Sequence, residues 1–408
     1  MIEKCIIAGV KIKQSRTDID YEMEELKQLV EASGGIVVYS IVQEKDNYTA
    51  ATYLGKGKVE EIRILCEETD ATLVVVNDEL TGSQINNLEK MLDVRVIDRT
   101  MLILDIFALR AKTKESKLQV ELAQLKYTMP RLKGKGIEMS KLGGGIGTRG
   151  PGEKKLETDR RHIETNIHEI EKQLKKAKTV RDVNRKSRVK NNVPVIAVIG
   201  YTNAGKSTLI NCLLNLYGVE KDKEVFVYDM LFATLTTENR KLKLLDKYEA
   251  IITDTVGFIS KLPTKLIESF KSTLEEINFS DIIIHLMDVT NEDLNVQKET
   301  TDEILKEIKA TDIPVIEVYN KIDKTEVIFR DSQGIYISAK TGLNIDKLVE
   351  RILLLLYGES KIYTFRLSYS DHTKLSFLEN HTNIIEREYL EDGIKVVFET
   401  REKIYEKL

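Results

Sequence analysis

The chain has 408 residues, of which 42% are hydrophobic and 31% charged, and its formal net charge is −4. This length predicts roughly two to four domains, and the apolar content is sufficient for buried cores, which argues against a wholly disordered chain. No apolar run reaches the roughly 20 residues that span a bilayer, so we expect a cytoplasmic protein. The three cysteines are too widely spaced to predict a disulfide framework or a zinc site.

Residues 1–111 alternate short β-branched runs with stretches of helical periodicity. The runs are GIVVYSIV, ATLVVV and VRVID, and the helical stretches between them are KVEEIRILCEE and SQINNLEKML. This alternation is typical of a small α/β domain with a parallel sheet. The string GKGK at residues 55–58 lacks the spacing of a nucleotide-binding loop, so we interpret it as a turn into a helix.

Residues 112–191 are basic and amphipathic. From residue 110 to residue 190 there are 23 lysines and arginines against 10 acidic residues. This charge fits a polyanion-binding surface and an ordinary solvated helical face equally well. Apolar residues recur at steps of three and four on both sides of the string KLGGGIGTRGPGEKKLE, at Leu118, Leu122, Leu125, Met129 and Leu132 and at Leu156, Ile163, Ile167, Ile170 and Leu174. The spacing predicts a long antiparallel helical hairpin with the glycine-rich string as its exposed tip.

Residues 192–358 contain four apolar runs, PVIAVIG, EAIITD, DIIIHLMD and IPVIEVYN, each followed by a turn and a helical stretch. This order predicts a doubly wound, mainly parallel sheet. Residues 359–408 predict a small α+β domain without a recognisable motif. The predicted fold class is therefore α/β, with four domains at 1–111, 112–191, 192–358 and 359–408.

The string GYTNAGKST follows the first of these runs and fits the phosphate-loop pattern G-x-x-x-x-G-K-[ST]. Glycines in such a loop let backbone N–H groups surround the phosphates at a helix N-terminus. We expect Lys206 to reach the β and γ oxygens and the Ser207 hydroxyl to bind magnesium. The predicted nucleotide-binding residues here are Gly200, Tyr201, Thr202, Asn203, Ala204, Gly205, Lys206, Ser207 and Thr208.

Two further strand ends carry nucleotide motifs. At Asp254, Thr255, Val256 and Gly257, the carboxylate can hold magnesium through water and the glycine N–H can meet the γ-phosphate. The carboxylate of Asp323, in the string Asn320, Lys321, Ile322 and Asp323, can accept two hydrogen bonds from guanine, whereas adenine offers no such pair of donors. Backbone donors at Ser338, Ala339 and Lys340 close the base pocket. Together these motifs predict GTP rather than ATP.

The string LFATLTTENR predicts a loop whose threonine completes the magnesium shell only while the γ-phosphate is present. Spacing leaves Thr234, Thr236 and Thr237 open as candidates. Phe258 stands where many GTPases carry a glutamine that orients the attacking water, and a phenyl ring cannot hydrogen-bond water. We therefore expect slow intrinsic hydrolysis that depends on a partner.

The chain resembles the HflX family of translation-factor-related GTPases up to about residue 358. The resemblance lies in TYLGKGKVEEI, DELTGSQINNLEK, VIDRTMLILDIFALRAKTKESKLQVELAQLKYTMPRL, GGGIGTRGPGEKKLETDRR, LFATL and DTVGFISKLP. It implies docking on RNA of the large ribosomal subunit, GTP hydrolysis stimulated by the ribosome, and a role in separating stalled or stressed ribosomes or in late subunit maturation. It also assigns the magnesium threonine to Thr234, so that Lys206, Thr234 and Gly257 are the expected catalytic residues, and it suggests potassium binding at Asn203.

The resemblance also favours one interpretation of the glycine-rich string. The loop at 143–152 has no buried strand before it, and the chain has a better phosphate cradle at Gly200, so we interpret the loop as an RNA-facing tip. Its candidate phosphate contacts are Arg149, Lys154, Arg160 and Arg161. The two alternatives are an assembly or storage GTPase that senses GTP without splitting ribosomes, and an ATP-dependent RNA remodeller that uses GKGK. We expect a monomer, since the two halves of the hairpin cover each other's apolar stripe.

Overall fold

The computed structural model describes residues 3–13, 18–134, 151–190, 193–219, 239–255, 257–259, 274–291, 294–325, 334–406 and 408. Within 151–190 the side chains are described for residues 157–177 and 179. The described residues fall into two compact units, one made of residues up to 185 and the other of residues from 186 onward. No helix among these residues is both long enough and apolar enough to cross a membrane.

The first unit begins with a four-stranded parallel sheet in the order β2-β1-β3-β4. The strands are β1 (Lys4–Ile12), β2 (Ile36–Lys45), β3 (Leu73–Val76) and β4 (Arg95–Asp98). The helices that connect and follow them are α1 (Ile19–Ala32), α2 (Lys56–Thr69), α3 (Gly82–Leu92) and α4 (Arg99–Arg110). The prediction of a parallel α/β domain is confirmed, although the runs used to predict it do not include β1, which is an inner strand.

The apolar residues of the strands show which faces of this sheet are buried. Along β1, Ile6, Ala8 and Val10 point into one core cluster, whereas all four residues of β3 are buried because helices cover both faces. Several helices start at defined caps. Thr81 and Gln84 form a reciprocal capping box at α3, which satisfies N–H groups that the first turn leaves unpaired.

The hairpin is formed by α5 (Lys114–Thr128), a 3₁₀ helix η1 (Met129–Gly134) and α6 (Pro151–Lys190), and it belongs to the first unit up to residue 185. The apolar stripes meet as predicted, with Leu122, Ile167 and Ile170 buried between the helices. Lys126 on α5 and Glu171 on α6 form an ion pair across the hairpin at 2.8 Å. The helical hairpin is therefore confirmed. Helix α6 starts at Pro151, inside the loop predicted at residues 143–152. Proline suits the first helical position, because the N–H that it lacks would be unpaired there.

The second unit contains a six-stranded sheet in the order β10-β9-β8-β5-β7-β6, in which only β6 is antiparallel. The strands are β5 (Val195–Gly200), β6 (Asn239–Leu244), β7 (Tyr248–Asp254), β8 (Ile282–Asp288), β9 (Val315–Asn320) and β10 (Ile335–Tyr336). The helices are α7 (Lys206–Tyr217), α8 (Leu294–Glu307) and α9 (Ile345–Tyr357), with short 3₁₀ helices at Glu275–Phe279 and Ile322–Lys324. The predicted doubly wound sheet is confirmed.

A small antiparallel sheet completes the second unit in the order β11-β13-β12. Its elements are β11 (Ser360–Leu367), α10 (His372–His381), β12 (Asn383–Leu390), β13 (Gly393–Arg401) and α11 (Glu402–Tyr405). Lys247, in the turn between β6 and β7, donates to the carbonyl of Thr382 at 2.7 Å. Ile404 lies in the same core cluster as the strands of the six-stranded sheet. The predicted α+β character is confirmed, whereas the four domain boundaries remain predictions.

Candidate functional site

The loop between β5 and α7 has positive φ angles at three positions, which glycine and asparagine adopt more readily than other residues. Gly200 has φ +148°, and a Cβ on it would lie 2.1 Å from the carbonyl oxygen of Leu286 on β8. Gly205 has φ +95°, and a Cβ there would lie 2.3 Å from Nδ2 of Asn320. Asn203 also has a positive φ, +62°, which asparagine tolerates better than most residues. The glycines at the two ends of the motif are thus required by close approach and by conformation.

Lys206 begins α7 and is buried inside this loop. Its Nζ donates to the carbonyl oxygens of Gly200 at 2.9 Å and Tyr201 at 2.8 Å. Burial lowers the pKa of Lys206 to about 8, and the nearby Asp254 carboxylate opposes this shift. The ammonium group therefore lies at the centre of the loop, held by two neutral acceptors that phosphate oxygens can replace.

The segment after β7 pairs with the phosphate loop through its backbone. The N–H of Thr202 donates to the carbonyl of Phe258 at 2.7 Å, and the N–H of Phe258 donates to the carbonyl of Gly200 at 3.1 Å. Thr255 donates its hydroxyl to the carbonyl of Val198 at 2.6 Å. A Cβ on Gly257 would lie 3.0 Å from Nζ of Lys206, so this backbone runs directly beside the lysine. Phe258 itself is buried and offers only its backbone to the site.

The donor set at this edge of the sheet fits magnesium. Ser207 lies in the first turn of α7, and buried Asp254 ends β7, whose register pairs it with Val198 on β5. A hydroxyl and a carboxylate are the oxygen ligands that magnesium prefers. Oγ1 of Thr202 is buried and has no hydrogen-bond partner among the described residues, so the cradle offers a polar atom to a ligand. Val256 and the three candidate threonines Thr234, Thr236 and Thr237 lie outside the described residues.

Asn320 joins the phosphate loop to the loop of the predicted base pocket. Its Nδ2 donates to the carbonyl of Ala204 at 2.8 Å, and its Oδ1 accepts from the N–H of Ala339 at 2.9 Å. Asn320, Ala204 and Ala339 are all buried. One side chain therefore fixes the spacing between the phosphate loop and the loop of the predicted base pocket.

Asp323, the predicted guanine-binding residue, is exposed and is already oriented by a hydrogen bond. Its Oδ1 accepts from the hydroxyl of Ser338 at 2.6 Å, and this hydrogen bond is the main cause that lowers the pKa of the Asp323 carboxyl. The Ser338 hydroxyl in turn accepts from the N–H of Thr341 at 3.2 Å. Lys340 is exposed beside them. An ionised carboxylate in this position can accept from the two guanine donors.

Sequence reasoning missed two residues of this region. Asp288 ends β8 and accepts from Nζ of Lys321 at 2.6 Å. This bond holds the loop after β9, which carries Asp323, against the end of β8. The position of Asp288 at a strand end was the available signal. His285 is buried on β8, where Glu317, Lys298 and Lys206 are the charged groups that act on it, and burial lowers its pKa to about 4. No sequence pattern marks this histidine.

The predicted RNA contacts are only partly described. Arg160 and Arg161 are exposed on α6, where they form ion pairs with Glu164 at 3.0 Å and Glu157 at 3.3 Å. Arg149 and the side chain of Lys154 lie outside the described residues. Exposed pairs of this kind contribute little to stability, so both arginines can exchange their partners for phosphates at low cost.

A phosphate cradle with a buried lysine, a carboxylate at the next strand end and an oriented Asp323 on a doubly wound sheet define a P-loop GTPase. Family models agree along the chain: "GTP-binding GTPase N-terminal" matches residues 20–108, "GTP-binding GTPase Middle Region" 110–188 and "50S ribosome-binding GTPase" 195–321. The chain belongs to the HflX family of GTPases, as the resemblance implied, and it hydrolyses GTP.

Individual relatives cover nearly the whole chain. GTPase HflX of Caldanaerobacter subterraneus subsp. tengcongensis is 47% identical over 95% of this chain and 89% of its own length. GTPase HflX of Escherichia coli K12 is 36% identical over 98% of this chain and 93% of its own length. A crystal structure of SsGBP in complex with GDP has a TM-score of 0.50 and 25% identity, and the match covers 87% of this chain and 98% of that one.

Proposed function

We propose that this GTPase docks on the large ribosomal subunit through its basic hairpin and promotes the dissociation or rescue of stalled or stressed ribosomes. The observation that carries the proposal is the charge of the hairpin segment, since residues 110–190 hold 23 lysines and arginines against 10 acidic residues. A segment with this excess of positive charge suits RNA phosphates. The name of the family model over residues 195–321 supports the ribosome as the partner.

The ribosome stimulates hydrolysis in this proposal. Phe258 replaces the glutamine that would orient water, and its backbone is paired to Gly200 and Thr202. Docking on RNA would then supply what the isolated site lacks. Magnesium would be held by Ser207, by Asp254 through water and by Thr234, while Lys206 and the N–H of Gly257 stabilise charge on the γ-phosphate. Magnesium would neutralise the developing charge on the phosphate oxygens.

Further parts of the proposal concern potassium and the cell. Potassium would bind at Asn203, whose exposed side chain lies in the phosphate loop. Equal hydrolysis rates in sodium and potassium buffers would contradict this part. The protein would act in the cytoplasm as a monomer during stress.

The first experiment measures GTP hydrolysis by the pure protein with and without large ribosomal subunits, with ATP as the control nucleotide. We expect stimulation that is specific for GTP and is abolished by Lys206→Ala. If large subunits do not stimulate hydrolysis, the ribosome is not the partner that activates this GTPase. ATP turnover that survives Lys206→Ala would instead favour an ATP-dependent RNA remodeller.

A second experiment tests the hairpin. The test variant replaces Arg149, Lys154, Arg160 and Arg161 by alanine, and its matched control replaces Lys172, Lys175, Lys176 and Lys178 on the same helix. Loss of about four phosphate contacts should make the slope of log affinity against log salt shallower by about three, in the test variant only. Equal effects in both variants would mean that general charge, not the tip, drives binding.

A third experiment separates splitting from assembly or storage. Light scattering of whole ribosomes should fall on addition of the protein with GTP if it dissociates the subunits. Stable binding to large subunits without any change in scattering would favour the assembly or storage alternative.

A further inference from the structure

Arg131 ties η1 (Met129–Gly134) to the N-terminal domain. We call η1 the root, because it immediately precedes the string predicted to form the tip. One guanidinium nitrogen donates to the carbonyl of Tyr127 at 2.9 Å, and the other donates to Glu79 at 2.9 Å and to the carbonyl of Leu80 at 2.8 Å. The guanidinium also stacks on the Tyr127 ring, 3.4 Å from its centroid. Arg131 therefore joins the hairpin to the loop after β3.

Asp98 also contacts both the loop after β3 and the hairpin. This carboxylate ends β4, is fully buried, and accepts from the N–H groups of Leu80 and Met101, both at 2.9 Å. It also accepts from the Tyr127 hydroxyl and lies 3.7 Å from the Arg131 guanidinium. One buried carboxylate thus serves the sheet edge, the start of α4 and the hairpin, and removing a partner would leave buried polar groups unsatisfied.

Gly82 allows the backbone of the root to lie directly on α3. A Cβ at this position would be 2.9 Å from the carbonyl oxygen of Arg131 and 3.0 Å from its Cα. The φ angle of Gly82 lies outside the left-handed region, so the close approach of Arg131, not conformational freedom, explains the glycine. The start of α3 can therefore lie in close contact with the root.

We propose that these residues form a root clamp, made of Glu79, Leu80, Gly82, Asp98, Tyr127 and Arg131, that fixes η1 against the N-terminal domain and thereby positions the segment that follows it for RNA. The inference rests on the proposed function, since it makes the clamp a positioning device for RNA docking. A tip whose root is fixed loses less conformational freedom when it binds, so the clamp raises affinity without touching RNA.

Two variants perturb the clamp in different ways. Arg131→Met keeps the aliphatic stem and removes the guanidinium, whereas Gly82→Val keeps the guanidinium and pushes the backbone of Arg131 away. Arg63→Met is the matched control, because Arg63 forms ion pairs with Glu60 at 2.7 Å and Glu67 at 2.5 Å on the exposed face of α2, in the same unit. None of these residues belongs to the nucleotide site.

The first readout is amide hydrogen exchange at residues 127–134 in the full chain. Both clamp variants should exchange at least about tenfold faster there, while Arg63→Met should match the wild type. Unchanged exchange in both variants would overturn the proposal, whatever happens to ribosome binding.

The second readout is affinity for isolated large subunits. We expect about tenfold weaker binding for both clamp variants, unchanged basal GTP hydrolysis, and no additional loss when either is combined with the four-alanine tip variant. Full additivity would mean that the clamp stabilises the domain without positioning the tip. If the tip variant alone keeps full affinity, the proposed docking fails, and the positioning role of the clamp fails with it. If only the clamp variants keep full affinity, the clamp proposal fails and the docking proposal stands.

Discussion

Replacing Asn320 by alanine should uncouple the two halves of the nucleotide site. The substitution removes the donor to the Ala204 carbonyl and the acceptor of the Ala339 N–H. Each of these buried backbone groups then lacks a partner, at a cost of about 1–3 kcal/mol. The two losses total at least about 2 kcal/mol if they are independent.

This loss should appear in nucleotide affinity, because binding must then order loops that Asn320 now holds. A free energy of about 2 kcal/mol corresponds to roughly thirtyfold weaker GDP binding. Displacement of a fluorescent GDP analogue measures the affinity, and amide hydrogen exchange at residues 201–206 reports on the loop itself.

Ser338→Ala provides the matched control. It removes the hydroxyl that orients Asp323 and leaves both bonds of Asn320 in place. Exchange in the phosphate loop should therefore rise in Asn320→Ala and stay unchanged in Ser338→Ala. GDP binding by Asn320→Ala within threefold of the wild type, or unchanged exchange at 201–206, would refute this reasoning.

Three further predictions concern the second unit. Asp323→Asn should weaken GDP binding by at least about tenfold and improve binding of xanthosine diphosphate, measured by competition, because an amide presents a donor where guanine needs an acceptor. Gly205→Ala should weaken GDP binding by at least about tenfold in the same assay, with an unchanged circular dichroism spectrum, since its Cβ would meet Asn320 in a left-handed backbone. The folded-state pKa of His285, about 4, lies below its ordinary value of 6.5, so the unfolded state takes up the proton first as the pH falls and stability is lost between these values. Urea unfolding should therefore show about 2 kcal/mol more loss from pH 7.5 to pH 5 in the wild type than in His285→Phe, and equal losses would contradict the assignment.

Local patterns predicted much of the fold and of the nucleotide motifs. Gly200 to Ser207 are contiguous, so their spacing alone indicates a loop between a strand and a helix. The hairpin followed from apolar periodicity, and Leu122, Ile167 and Ile170 do meet. The site roles assigned to these motifs remain predictions.

Contacts between distant residues could not be predicted in this way. Strand β1 was missed because a glycine and lysines interrupt its apolar run, although its neighbours in the sheet bury it. The bond from Asn320 to Ala204 and the meeting of Asp98 with Arg131 depend on which strand ends lie side by side. Topology decides such contacts, and a single sequence records it only indirectly.

The position of Ile404 has a consequence for the synthesis of the protein. Its side chain packs in the cluster that contains Ile196 and Val198 of β5, about two hundred positions earlier in the chain. Contacts of such long sequence separation form late, since the intervening chain must be closed into a loop first. During translation, the strand that leads into the phosphate loop is made long before the residue that completes its core. We therefore expect the nascent nucleotide domain to reach its full stability only after residue 404 has left the ribosome.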